Sequence, residues 1–167
     1  MKALLLLLLA LISLSANEQR LLLSGFTIHE KPNNRFGDPY NYFNYGIGYE
    51  YNLYEKPESF YWGLNTIILS DSYRNPQLTT GLAYAIRYEY KKVQMAVGLA
   101  GFIGVKKRYT DEDTEYDQGH YTVIGGVAPM LNFYYKDVSL NFLYVPHFHY
   151  KEIDITGFLY TYFSWKF

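Results

Sequence analysis

The chain has 167 residues, with 15 Lys and Arg against 16 Asp and Glu for a net charge of −1, and no cysteine. Near-neutrality argues against a general nucleic-acid binder, and the lack of cysteine removes disulfide frameworks and Cys-based metal sites. Its 20 Tyr, 11 Phe and 2 Trp make up 20% of the chain, a load that soluble domains seldom carry and that suits a barrel in lipid, where Tyr and Trp sit at the hydrocarbon–water boundary.

At the start of the chain Met1-Lys2 supplies one positive charge, Ala3 to Ile12 is an unbroken apolar run, and Ser13-Leu14-Ser15-Ala16 offers small residues. That is the pattern of a cleavable secretory signal over residues 1–16, cut near Ala16, with 17–167 as one domain. The apolar run falls far short of the ~20 residues of a spanning helix.

Eight β-prone segments follow: Leu22–His29, Tyr40–Leu53, Phe60–Ser70, Gln77–Tyr90, Val93–Val105, His120–Tyr135, Val138–Val145 and Asp154–Phe167. Most alternate with period two. The fourth sets Leu78, Thr80, Leu82, Tyr84, Ile86, Tyr88 and Tyr90 on one face against Thr79, Gly81, Ala83, Ala85, Arg87 and Glu89 on the other. The fifth sets Val93, Met95, Val97 and Leu99 against Gln94, Ala96, Gly98 and Ala100. One large apolar face and one small or polar face is what a lipid-facing barrel strand needs.

Connections after even strands are tight: Tyr54–Ser59, Lys91-Lys92 and Lys136-Asp137. Those after odd strands are mostly longer and polar: Glu30–Pro39, Asp71–Pro76, Lys106–Gly119 and Pro146–Ile153. The predicted fold is therefore an all-β, eight-stranded antiparallel up-and-down transmembrane barrel of a bacterial outer membrane, its long loops extracellular. A soluble barrel of the lipocalin type is the rival, but its Tyr-rich faces would overfill an eight-stranded interior. Phe163, Trp165 and Phe167 alternate along the last strand, which resembles the terminal signal that bacterial barrels present to their assembly machinery.

The topology gathers three chemically useful residues. His29 closes the first strand and Asp71-Ser72 closes the third, so all lie on the long-loop rim. A histidine, a carboxylate and a hydroxyl are the parts of base-assisted acyl transfer. From spacing alone, Asp-Ser as turn chemistry and His29 as a polar rim residue are the better account.

Resemblance changes that balance. Ile67-Ile68-Leu69-Ser70-Asp71-Ser72-Tyr73-Arg74-Asn75 resembles the strand-end Asp-Ser-aromatic segment of the lipid A palmitoyltransferase family (PagP), and Phe26-Thr27-Ile28-His29 resembles the strand that ends in its functional histidine. Gly81-Leu82-Ala83-Tyr84 is similar to the family's Gly-aromatic-Gly-Trp stretch, with Ala83 where the family has a glycine. Pro129 and Pro146 fit the two prolines beside one lateral opening of its barrel wall. Pro39 supplies one member of a second proline pair, and Ser24 stands where the other belongs. The resemblance runs from about His29 to Pro146.

It implies transfer of a palmitoyl-like chain from a phospholipid donor to lipid A in the outer leaflet, without cofactor, by a monomer embedded in the bilayer. His29 would be the general base, Ser72 the hydroxyl taking part in transfer, and Asp71 the group that orients or charge-stabilises His29. Gly81 and Ala83 would line the acyl pocket, the methyl of Ala83 shortening the preferred chain, with Pro129 and Pro146 framing lipid entry. Arg74, with Arg35, Lys107 and Arg108, would meet lipid A phosphates at the rim. The rivals are a non-enzymatic structural or surface-interaction barrel and a lipid A deacylase, the latter weakened by the lack of a His-x-Ser pair on a strand. His147 and His149, with His120 on the same rim, are ordinary loop histidines unless they hold a divalent metal; Asp111–Asp117 is an acidic run in the third long loop.

Overall fold

The computed structural model describes residues 18–56, 59–109, 118–150 and 153–167. The expected signal over 1–16 and the acidic run Asp111–Asp117 lie outside the described residues.

Alternating side chains and short turns give a closed antiparallel barrel. Its strands are β1 (Gln19–His29), β2 (Gly46–Lys56), β3 (Phe60–Ser70), β4 (Pro76–Tyr90), β5 (Val93–Arg108), β6 (His120–Tyr135), β7 (Val138–Val145) and β10 (Phe158–Lys166). Each pairs with its sequence neighbour, and β1 closes on β10, so the two strand edges that an open sheet would leave are removed.

The two largest differences from the periodicity lie at strand starts. The second strand begins at Gly46, not at Tyr40. Residues 40–45 leave the wall because Tyr40 stacks on His29, with ring centroids 3.8 Å apart, and Asn44 donates to the Ser70 carbonyl at 2.9 Å. Its ladder pairing with β1 is reduced to the isolated Phe26–Phe43 bridge. The fourth long loop also carries its own hairpin, β8 (Phe148–Tyr150) with β9 (Ile153–Ile155), so the last wall strand starts at Phe158.

The outer wall is apolar and uncovered: Leu82, Ile86, Val97, Leu99, Ile103 and Val127 are all exposed. A monomer in water seldom shows so continuous an apolar surface; a lipid-facing band requires it.

Inside, cross-strand register stacks the inward side chains in rows. One row runs Gly63, Ala83, Ala100, Ala128, and the row above it runs Asn65, Gly81, Phe102, Gly126. Toward the short turns the interior fills with polar and aromatic groups. Arg20 donates to Ser164 Oγ at 2.7 Å and Glu18 Oε1 at 2.6 Å, Asn132 donates to the Tyr61 and Tyr134 hydroxyls at 3.0 and 3.1 Å, and the Arg87 guanidinium lies 4.6 Å from the Tyr61 ring centroid. The barrel is thus stoppered at its short-turn end, and above the stopper small residues share the interior with Asn65, Ile67 and Phe102.

Candidate active site

The aim of His29 depends on one irregularity. In β1 Arg20 and Leu22 face inward, and uninterrupted alternation would continue with residues 26 and 28. The register against β10 slips between Ser24 and Phe26, a bulge that changes which face each later residue occupies. Phe26 and Ile28 are consequently exposed on the outer wall, while Thr27 is buried and His29 points into the mouth. Glycine suits the slip, since a Cβ on Gly25 would lie 2.5 Å from the Thr161 carbonyl oxygen.

Ser72 reaches the same place from the β3–β4 connection. Asp71 forms an Asx-type turn: its Oδ1 accepts from the backbone N–H groups of Tyr73 at 2.9 Å and Asn75 at 2.8 Å. The Asp71 backbone closes the loop with Asn75 and Arg74, and Arg74 takes the left-handed conformation at φ 65°. This fixes the Ser72 hydroxyl against His29, with Nε2 and Oγ 2.7 Å apart.

Asp71 does not reach the imidazole, because His29 Nδ1 is buried without a hydrogen-bond partner. Its second oxygen, Oδ2, instead faces Lys106 Nζ at 3.6 Å. The structure therefore brings His29 and Ser72 into contact and leaves Asp71 without a hydrogen bond to the imidazole, beside Lys106. Lys106 is the residue the strand pattern should have exposed: it continues the inward series Gly98, Ala100, Phe102, Gly104 of β5.

Aromatic rings roof the mouth. Tyr40 covers His29, Tyr73 meets Tyr40 edge-on at 5.6 Å, and Tyr109 lies 5.0 Å from Tyr73 and 5.1 Å from Phe36. His29 is the last residue of β1, and an imidazole there in its uncharged form can accept a proton.

The remaining expected residues fall in three places. Gly81 and Ala83 face inward, both buried, in the rows beneath the mouth. Pro129 stands on the outer face at a break in the wall: β6 pairs with β7 only from Tyr135–Val138 to Met130–Leu143, leaving His120–Pro129 unpaired on that side. Pro146 directly follows β7 at the same break. Arg74 is exposed on the rim and lines a shallow outer cleft with Tyr45, Ile68 and Pro76. His120 and His147 are exposed, and the side chain of His149 lies outside the described residues.

No curated protein matches the chain. A family described as "antimicrobial peptide resistance and lipid A acylation protein PagP" matches residues 12–162. That span takes in both the histidine strand and the Asp-Ser turn as well as seven of the eight wall strands in full. The chain belongs to the PagP family.

Proposed function

We propose that the chain is an outer-membrane acyltransferase that moves a fatty acyl chain from a phospholipid to lipid A and needs no cofactor. Exported by the signal over 1–16 and inserted by the barrel assembly machinery, it works as a monomer with its long-loop rim outside. The contact between His29 Nε2 and Ser72 Oγ at 2.7 Å carries this reading, because it sets an imidazole base on a hydroxyl at the barrel mouth.

In the reaction the lipid A hydroxyl oxygen bonds to the donor's ester carbonyl carbon and yields its proton to the His29–Ser72 pair. The bond from that carbon to the glycerol oxygen breaks, and the departing lysophospholipid takes the proton. The acyl chain lies along Gly81, Ala83, Ala100, Gly126 and Ala128 and stops at the Tyr61–Asn132–Tyr134 cluster. It enters sideways between β6 and β7, where proline withholds a ladder donor; unpaired backbone at membrane depth is tolerated where it serves a cavity. Arg74 at the rim offers its charge to a lipid phosphate.

Expression in a host that makes lipid A, followed by mass spectrometry of the lipid A, tests the reading. The wild-type chain adds the mass of one fatty acyl group, and Ser72→Ala does not. Loss of a chain would indicate a deacylase, and unchanged lipid A a structural barrel; either result removes the transferase.

The same assay reads the pocket floor. A Cβ at position 83 occupies the inward row between Gly63 and Ala100, so Ala83→Gly deepens the tube and shifts transfer toward donors longer by one or two methylenes. Identical donor selectivity in the two proteins would take Ala83 out of chain-length selection.

A further inference from the structure

Lys106 has no part in the family resemblance, yet its ammonium group stands 3.6 Å from the carboxylate of the turn that carries Ser72. It sits on β5, on the far side of β4 from the Asp71 turn, and reaches across the mouth with about a quarter of its side chain exposed, 27%. Its partner Asp71 is 3% exposed. Asp71 Oδ1 is used twice by the turn, whereas Oδ2 is buried with no hydrogen-bond partner. A buried carboxylate oxygen without a donor is costly unless a cation stands close, and Lys106 Nζ at 3.6 Å is that cation.

We infer that Lys106 is a positioning residue of the transfer site: paired with Asp71 across the mouth, it seats the turn that carries Ser72 and presents positive charge to His29. The inference rests on the transferase reading for its catalytic meaning and on geometry for the pairing itself. It also gives Asp71 its work. The carboxylate holds the turn with one oxygen and Lys106 with the other, so its influence on His29 passes through charge balance and not through a hydrogen bond.

The groups that face His29 set the sign. Glu30 follows it in the chain but turns to the outer face, where its Oε1 accepts from Tyr144 at 2.9 Å. The segment before β2 brings Tyr40, the β3–β4 turn brings Asp71, Ser72 and Tyr73, β5 brings Lys106, and β10 brings Phe158. Lys106 is the cation of this set, and its charge opposes protonation of the imidazole. Removing it leaves the Asp71 carboxylate without that opposition, so His29 should protonate at higher pH.

Two readouts on the full-length mature barrel in detergent micelles test this. First, the titration of the His29 ring is followed by NMR in wild type, Lys106→Met and Lys106→Arg, with folding checked by heat-dependent gel migration. The ring should titrate higher in Lys106→Met than in wild type, and Lys106→Arg should follow wild type. Second, transfer from a defined phospholipid donor to lipid A is measured against pH. Lys106→Met should lose about a hundredfold in kcat, as displacement of a reacting group by about 1 Å does, with KM little changed, its acid limb moved upward, and most activity restored in Lys106→Arg. If Lys106→Met does not fold, Lys106→Gln serves the same comparison. A His29 titration that ignores the charge at position 106, or equal losses at every pH with no rescue by arginine, overturns the inference even where the wild type transfers. The expected titration in a wild type that transfers nothing would sink the transferase reading alone.

Discussion

Replacing His29 with alanine is expected to lower acyl transfer about a thousandfold while the barrel remains folded. A positioned general base contributes roughly 10²–10⁴ in rate, and His29 is the group in hydrogen-bond contact with the Ser72 hydroxyl. Its ring is a mouth fitting and not a wall element: Tyr40 lies over it and Phe158 beside it, at 3.8 and 5.6 Å between centroids, and the β1 ladder to β10 continues without its side chain. Transfer in mixed micelles, with unfolding followed in parallel, separates the two effects. A loss under tenfold would exclude His29 from proton transfer.

Arg20→Met should destabilise the barrel by about 3–5 kcal/mol, the range for breaking a buried ion pair from one side. Arg20 is 2% exposed. Its guanidinium joins four separate parts of the short-turn end: Glu18 Oε1 at 2.6 Å, Ser164 Oγ at 2.7 Å, the Asp137 carbonyl at 3.2 Å, and the Tyr134 ring at 4.9 Å from its centroid. Ser164 in turn bonds Ser139, which bonds Asn141, so the loss opens a network and not a single pair. Glu18 keeps Lys166 at 3.1 Å, but Lys166 is partly exposed and reaches only one carboxylate oxygen. Guanidinium unfolding in micelles measures the effect, and a change below about 1 kcal/mol would mean that the stopper is not what holds the lower barrel. Catalysis should be largely spared, because this network lies beneath the acyl tube.

The same contrast explains what was legible before any coordinates. Period-two alternation places Leu82, Tyr84 and Ile86 outward and Ala83, Ala85 and Arg87 inward in β4, and the structure keeps that division. Short turns at Lys91-Lys92 and Lys136-Asp137 fix which strand ends share a rim; both turns carry a lysine at positive φ, 56° at Lys91 and 53° at Lys136, as two-residue hairpins demand. Alternation fails where a residue is spent on something other than the wall. Tyr40 and Asn44 keep a strand-like pattern yet turn into the mouth, since stacking on His29 and bonding to Ser70 replaced two ladder positions. The break in β1 at Gly25 was visible as a glycine between Ser24 and Phe26, but its consequence for His29 was not.

By itself the sequence determined the strand count, the rim shared by His29, Asp71 and Ser72, and the small-residue lining, because these follow from side-chain period and turn length, which are local properties. Tertiary structure alone decided that a bulge turns His29 inward, that Asp71 answers to Lys106 and not to the imidazole, and that β6 parts from β7 above Met130. Each of those depends on register between strands distant in the chain, and register is settled only when the cylinder closes and every inward side chain must share one interior.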